Sequence, residues 1–240
     1  MPQRFGPPKD SCLTPIGLLS MLLKQIYYLS IGGTEPHLAP YYARARMEIE
    51  TLIKYITKYI ALSSHEISVL SEQVKIRHYL KGQYIVQQGD VCKYESFVIS
   101  GCVKTFFIDP EGNEHVVMFA IENWWTADLG SFITQEPADY NVQCLENTKV
   151  AQFSQESLER LYTQIPQLEK FFRIIIQNAF VASQKRIIRN FSLTAKERYL
   201  IFRNQYPNIE QRVPQYLIAS YLGITKQFLS KIRAELVSES

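Results

Sequence analysis

Between Thr105 and Thr148 the sequence has no lysine or arginine, while eight acids fall there: Asp109, Glu111, Glu114, Glu122, Asp128, Glu136, Asp139 and Glu146. That stretch has no cation of its own to neutralise a buried phosphate, and an unpaired buried charge is strongly unfavourable. Cysteine is also scarce. Cys12, Cys92, Cys102 and Cys144 stand far apart and form no CxxC pair. This removes the common zinc and dithiol patterns and leaves small buried hydrophobes in a reducing cytoplasm. The four histidines, His37, His65, His78 and His115, lie on separate segments, so no His–carboxylate metal cluster forms locally. A P-loop, an HExxH helix and a Ser-His-Asp order are all missing. The reading is therefore of a protein without catalytic residues, metal or cofactor. No long hydrophobic run exists either. Cys12–Ile31 is interrupted by Pro15, Gly17, Lys24 and Gln25, too polar for a membrane span and without the small-residue cleavage site of a signal peptide.

What is present is a chain of 240 residues, 46% hydrophobic and 20% charged, values of a globular protein of about two domains. Net charge is only +3, but Lys185–Ser240 carries ten Lys or Arg against four Glu. A basic end beside an acidic middle points to a polyanionic partner for the end alone.

The first 46 residues read as an N-terminal extension, either sequence upstream of the native start or an arm packed on the body. Met47 opens a helical stripe of Ile49, Leu52, Ile53, Ile56 and Ile60. Ser63 and Glu66 have capping-box spacing for a second helix. From Val74, short β-rich runs are broken at Lys81-Gly82, Gly89-Asp90, Ser100-Gly101 and Asp109–Asn113, the pattern of an all-β sandwich or barrel. The run TADLGSFITQEPADYNV (Thr126–Val142) predicts a loop and short helix, followed by a strand over Val142–Phe153. A long helix then runs from Pro166 to about Asn190. Leu168, Phe171, Phe172, Ile175, Ile176, Ala179 and Ala182 line one broad face, and Ile174, Phe180 and Val181 lie elsewhere. A helix apolar nearly all round needs cover on more than one side. The β domain supplies one side. A second copy of the chain, or burial within one subunit, supplies the other. The dimer reading assigns Phe171, Phe172, Ile175, Ala179 and Ala182 to that contact.

Gln215–Leu236 reads QYLIASYLGITKQFLSKIRAEL. Two helices packed steeply about a tight turn need a small residue where they touch and a residue tolerant of positive φ at the turn. Ala219 and Gly223 supply these, and Ile218, Leu222, Ile224, Leu229 and Ile232 supply apolar anchors. Pro214 and Thr225 suit the two helix starts. The second helix is then the DNA-reading one, with Thr225, Lys226, Gln227, Ser230, Lys231 and Arg233 as the contact set: cations for phosphate or guanine, glutamine for adenine.

These parts, in this order, resemble the Crp/Fnr family of bacterial transcription regulators. The resemblance covers Met47 to the end and rests on KGQYIVQQGD…FVISGCVKTF…DPEGNE (Lys81–Glu114), the long helix, LIASYLGIT and the Arg212-Val213-Pro214 run. It implies an α+β fold: a jelly-roll-like double-stranded β-roll of the cyclic-nucleotide-binding type (47–165), a dimerisation helix (166–191) and a winged helix-turn-helix (192–240). It also implies a homodimer on double-stranded DNA, with RNA polymerase as a candidate further partner and no membrane association.

Two departures bear on the sensor. Oxygen-sensing members carry an N-terminal cysteine cluster, but Met47–Lys75 holds no cysteine, and Cys12 alone cannot make a four-thiolate site. Cyclic-nucleotide-binding members carry a Gly-Glu pair and an arginine ten residues later. Here Ala127-Asp128 stands at the pair and Ala138 at the arginine. The expectation is a cassette-like fold without cyclic nucleotide, which arginine at Ala138 with Asp128→Glu would restore. The alternative is an ordinary cyclic-nucleotide-responsive regulator. Trp125, Asp128, Leu129, Tyr140 and Asn141 form the candidate effector pocket. Trp124, Phe119 and Phe132 are further aromatics that could line a site for a neutral or cationic ligand, and the effector itself is unknown.

Overall fold

A computed structural model describes residues 39–238, with side chains from Glu48 onward. The extension read over residues 1–46, Cys12 included, lies outside the described residues as far as residue 38. Helix α1 (Ala39–Ile56) begins upstream of Met47, where the stripe placed its start. Leu52 and Ile56 are buried and Ile49 and Ile53 pack beside them. Glu48 ties α1 to the sheet through Lys149 at 2.6 Å. Helix α2 (Ser64–Gln73) opens with the expected capping box, in which the Ser63 amide donates to Glu66 Oε2 at 2.7 Å.

Eight strands follow: β1 (Lys75–Tyr79), β2 (Tyr84–Val86), β3 (Tyr94–Ser100), β4 (Val103–Ile108), β5 (Glu114–Ala120), β6 (Trp125–Thr126), β7 (Asn141–Cys144) and β8 (Thr148–Ser154). They form two antiparallel sheets ordered β1-β8-β3-β6 and β2-β7-β4-β5. Helix α3 (Leu129–Thr134) sits between β6 and β7. Helices α4 (Gln155–Gln164), α5 (Gln167–Ser192), α6 (Ala195–Gln205), α7 (Ile209–Arg212), α8 (Gln215–Leu222) and α9 (Lys226–Ser238) complete the chain.

Two cores explain the burial. One core cluster joins Val98, Val103, Val142 and Val150 to Phe97 and Phe153 on the opposite face of β3 and β8, where Leu52, Leu158, Leu161, Phe171 and Phe172 of the helices belong to the same cluster. The second core is on the outer face of β4 and β5. There Cys102, Phe106, Val116 and Phe119 pack under Tyr199, Phe202, Tyr206, Leu217 and Ile218. Strand β4 is thus covered on both faces, which is why Val103–Phe106 is buried without a break. Lys104 is carried into this covered face by an ion pair to Glu114 at 2.5 Å and a seat 4.0 Å from the Phe106 ring centre. Cys92, Cys102 and Cys144 are buried free thiols. Burial pushes Cys102 up to about 12 and Cys144 to about 11, so both stay protonated at neutral pH and behave as small apolar residues.

The wing expected beside the helix-turn-helix is not found among the described residues, where no strand follows Ser154. The segment before α8, where a hairpin would fit, instead forms the single turn α7, with Asn208 at φ 62° and Ile209 buried.

Candidate nucleic-acid interface and sensor site

The turn between α8 and α9 follows from two residues. Ala219 is buried where the helices meet. Gly223 takes φ +67° and closes α8 as its left-handed cap, while the Ile224 amide donates to Ala219 O at 3.0 Å. The Thr225 hydroxyl accepts from the Phe228 amide at 3.2 Å, fixing the start of α9. Leu229 and Ile232 anchor α9 against Ile218 and Leu222. The opposite face presents Thr225, Lys226, Gln227, Ser230 and Lys231 to solvent. Arg233 departs from the expected set: it is only partly exposed and turns back to Glu210 at 3.5 Å. Glu210 also receives Arg203 at 3.3 Å. Part of the basic charge of this end is therefore neutralised internally.

The module carrying α9 is clamped to the roll by contacts that no local sequence pattern announces. Strand β5 is an edge strand, and Ser220 of α8 satisfies it, accepting from the Val116 amide at 3.0 Å and donating to Glu114 O at 2.9 Å. Arg186, on α5, donates to Val117 O and to Tyr221 O and lies 4.1 Å from the Tyr221 ring centre. Arg198 donates to Leu193 O and Leu222 O, both at 3.2 Å, binding the end of α5 to the end of α8. Arg212 makes a two-pronged bond to Glu122, both contacts at 2.9 Å, and a second ion pair to Glu146. Glu122 also accepts from the Gly101 amide at 2.9 Å. Burial pushes the Glu122 carboxyl up, but the bonds from Arg212 and Gly101 outweigh it and hold the group below its ordinary range.

In the roll, Asp128 is buried and caps α3. One carboxylate oxygen accepts from the Ser131 amide at 3.0 Å. The other accepts from the amides of Asp139 and Tyr140 at 2.9 and 3.1 Å. Amides that could bind a ligand anion are thus already engaged by the protein's own carboxylate. Ala138 is buried in the roll core, and its amide and carbonyl pair with Asp90 and Gly89. Arginine there would have to enter the core, which corrects the expectation that Ala138 could simply receive the missing charge. Asn141 is likewise self-satisfied, exchanging bonds with Gln88 at 3.0 and 3.3 Å. The candidate aromatics do not converge. Trp125 packs on Phe97 and Phe172 at 5.3 and 5.2 Å between ring centres. Trp124 lies tilted against Tyr206 at 5.1 Å between ring centres, and Phe119 belongs to the outer core. Phe132 lies in the inner core, Leu129 is exposed and Tyr140 is half-buried.

Comparison with known proteins matches residues 76–164 to the cyclic nucleotide-binding domain. The chain is 28% identical over 185 residues to the transcriptional activator protein anr of Pseudomonas aeruginosa, covering 72% of this chain and 75% of that one. It is 28% identical over 144 residues to the transcriptional activator protein Anr of Pseudomonas protegens, covering 60% of this chain and 58% of that relative. The fumarate and nitrate reduction regulatory protein of Vibrio cholerae is 26% identical, covering 63% and 64%. The fold matches that of the c-di-GMP responsive global regulator CLP of Xanthomonas campestris, with TM-score 0.60, 15% identity and coverage of 74% and 93%. FixK2 of Bradyrhizobium japonicum gives TM-score 0.60, 16% identity and coverage of 69% and 85%. Over most of its length the chain is similar to transcriptional regulators of the Crp/Fnr type. None of these relatives is named as an enzyme. The alignments to the P. protegens and V. cholerae proteins span less than two thirds of those proteins.

The long helix α5 divides in two. Its first turns belong to the roll: Leu168, Phe171 and Phe172 are fully or nearly buried within the chain, and Ile175 packs beside them. Phe171 and Phe172 therefore do not stand ready for a second copy, as the dimer reading expected. Trp125 of the sheet edge and Tyr55 of α1 already cover them, each 6.1 Å from Phe171 between ring centres. Beyond Ile175 the helix is open. Ala179 and Ala182 are exposed, with Ile176, Phe180, Val181, Ile187, Ile188 and Phe191 around them. The sequence places Ile176 on the broad apolar face and Phe180 and Val181 off it, and gives no sign of Ile187, Ile188 and Phe191, which fall among charged residues further down the helix. Among the described residues no helix is long and apolar enough to cross a membrane.

Proposed function

We propose that the chain is a cytoplasmic, homodimeric, sequence-specific DNA-binding transcription regulator whose sensor domain holds no cyclic nucleotide. The observation that carries the DNA reading is α9, a helix anchored by Leu229 and Ile232 and presenting Lys226, Gln227, Ser230 and Lys231 outward. Cations grip phosphates and glutamine suits adenine, which is what a major-groove helix requires. Dimer formation is supported by the exposed apolar length of α5 from Ile176 to Phe191, since exposed apolar patches of that kind mark association surfaces. RNA polymerase is a further partner in this reading.

The sensor reading rests on Asp128, whose carboxylate takes the three cassette amides, and on the missing cation. The match to the cyclic nucleotide-binding domain favours the other reading, a cyclic-nucleotide-responsive regulator. Calorimetry with cyclic AMP and cyclic GMP separates them. We expect no saturable heat, meaning a Kd weaker than about 1 mM; micromolar binding of either nucleotide would overturn the sensor reading. Signal from any effector would reach α9 through Ser220, Arg186 and Arg212, whose contacts hold the module carrying α9 on the roll. An effector acts on them only by favouring one arrangement of the clamp over another.

A further inference from the structure

Phe228 is the third residue of α9 and is 46% exposed. It belongs to neither hydrophobic core of the described residues. Leu229 and Ile232 anchor the helix without it. Its backbone is fixed by the bond from its amide to Thr225, so the ring projects from a rigid first turn. Its neighbours on that turn are the exposed Lys226 and Gln227, and Lys231 follows three residues on, within reach along the helix surface. A large apolar side chain held in water among cations and an amide is unfavourable in the free protein. It becomes favourable where the surface that receives the helix offers an apolar partner.

The major groove offers one such group, the C5-methyl of thymine. A helix of this type enters the groove by its N-terminal residues, and Phe228 is one of them. We propose that Phe228 is a specificity-determining residue that packs on a thymine methyl in each half-site. Gln227 beside it suits a two-pronged bond to adenine, so the two residues together favour A·T pairs at the base steps nearest the helix start. This inference rests on the DNA-reading function proposed above.

The test uses the full chain and its preferred duplex. Each thymine is replaced singly by uracil, which removes the methyl and leaves every hydrogen-bonding group in place. At one thymine per half-site the wild-type protein should lose about fourfold in affinity, the worth of one buried methyl group. Phe228→Ala should bind the thymine and uracil duplexes equally at that position, and Phe228→Leu should keep part of the discrimination. Indifference of the wild type to uracil at every position would overturn the proposal, and that readout does not depend on any variant folding. An equal uracil penalty in wild type and Phe228→Ala would overturn it as well, because another residue would then read the methyl. Failure to obtain any preferred duplex would instead overturn the DNA-reading function, and the proposal with it.

Discussion

Alanine at both Lys226 and Lys231 is expected to weaken binding to the preferred duplex by roughly a hundredfold or more, with the fold and the proposed dimer intact. The two lysines are exposed on α9, and neither belongs to the hydrophobic cores, so removing them costs little stability. Each base-reading bond is worth about 1–3 kcal/mol, and the proposed dimer would give up each contact twice. The two kinds of bond leave different traces. A lysine that grips phosphate in each protomer contributes about two to the salt slope of log K, so its removal flattens the slope and weakens all sequences alike. A lysine that reads guanine, when removed, relaxes preference at one position. Measuring affinity from low to moderate salt for Lys226→Ala and Lys231→Ala separately assigns each role. Wild-type affinity in the double variant would remove α9 as the reading helix.

Gly101→Ala should be the most damaging small substitution in the roll. Gly101 has φ +113°, and a Cβ there would lie 2.5 Å from Thr148 Oγ1 and 2.7 Å from Thr148 Cα. The hydroxyl could turn away, but the backbone atom of β8 cannot. Backbone strain of about 1–3 kcal/mol and a similar overpacking cost together give about 2–6 kcal/mol. For a chain of this size that lowers the unfolding midpoint by about 5–20 °C. The damage should spread, because the Gly101 amide holds Glu122, and Glu122 holds Arg212 of the DNA-reading module. Gly112→Ala is the control. Gly112 also has positive φ, +84°, but nothing lies within 4 Å of the added methyl, so only the strain remains. Equal thermal shifts for the two variants would show that the Thr148 contact is not what makes Gly101 glycine.

The parts of the fold that are legible in the sequence are those whose cause is local. Ala219 and Gly223 stand four residues apart with apolar anchors around them, and the structure places the small residue at the helix crossing and the glycine at φ +67°. Ser63 and Glu66 form their cap within one turn. The glycine breaks locate most hairpin turns of the roll because a turn is written in a few adjacent residues. What is not legible depends on distant pairs. The segregation of acids in the middle and bases at the end reads, along the chain, wholly as the sign of a polyanionic partner. Part of it is internal: Arg212 pairs with Glu122 and Glu146, 90 and 66 residues away. Asp128 reads as an obstacle to a ligand phosphate, whereas its main contacts are three amides that it caps. The burial of Phe171 and Phe172 cannot be separated in sequence from a dimer contact, because an apolar helical face does not say which surface covers it. The lack of a wing strand among the described residues has the least warning, since only the structure shows that the segment before α8 takes one helical turn, Ile209–Arg212.

Selection of bound duplexes from a random pool, with the purified full chain and no added nucleotide, tests the central claim most directly. The account predicts enrichment of a near-palindromic site whose half-sites lie one helical turn apart, about 34 Å, with A·T pairs where Gln227 and Phe228 enter the groove. A pool that remains random after repeated rounds, in a protein that is folded and dimeric, would contradict it.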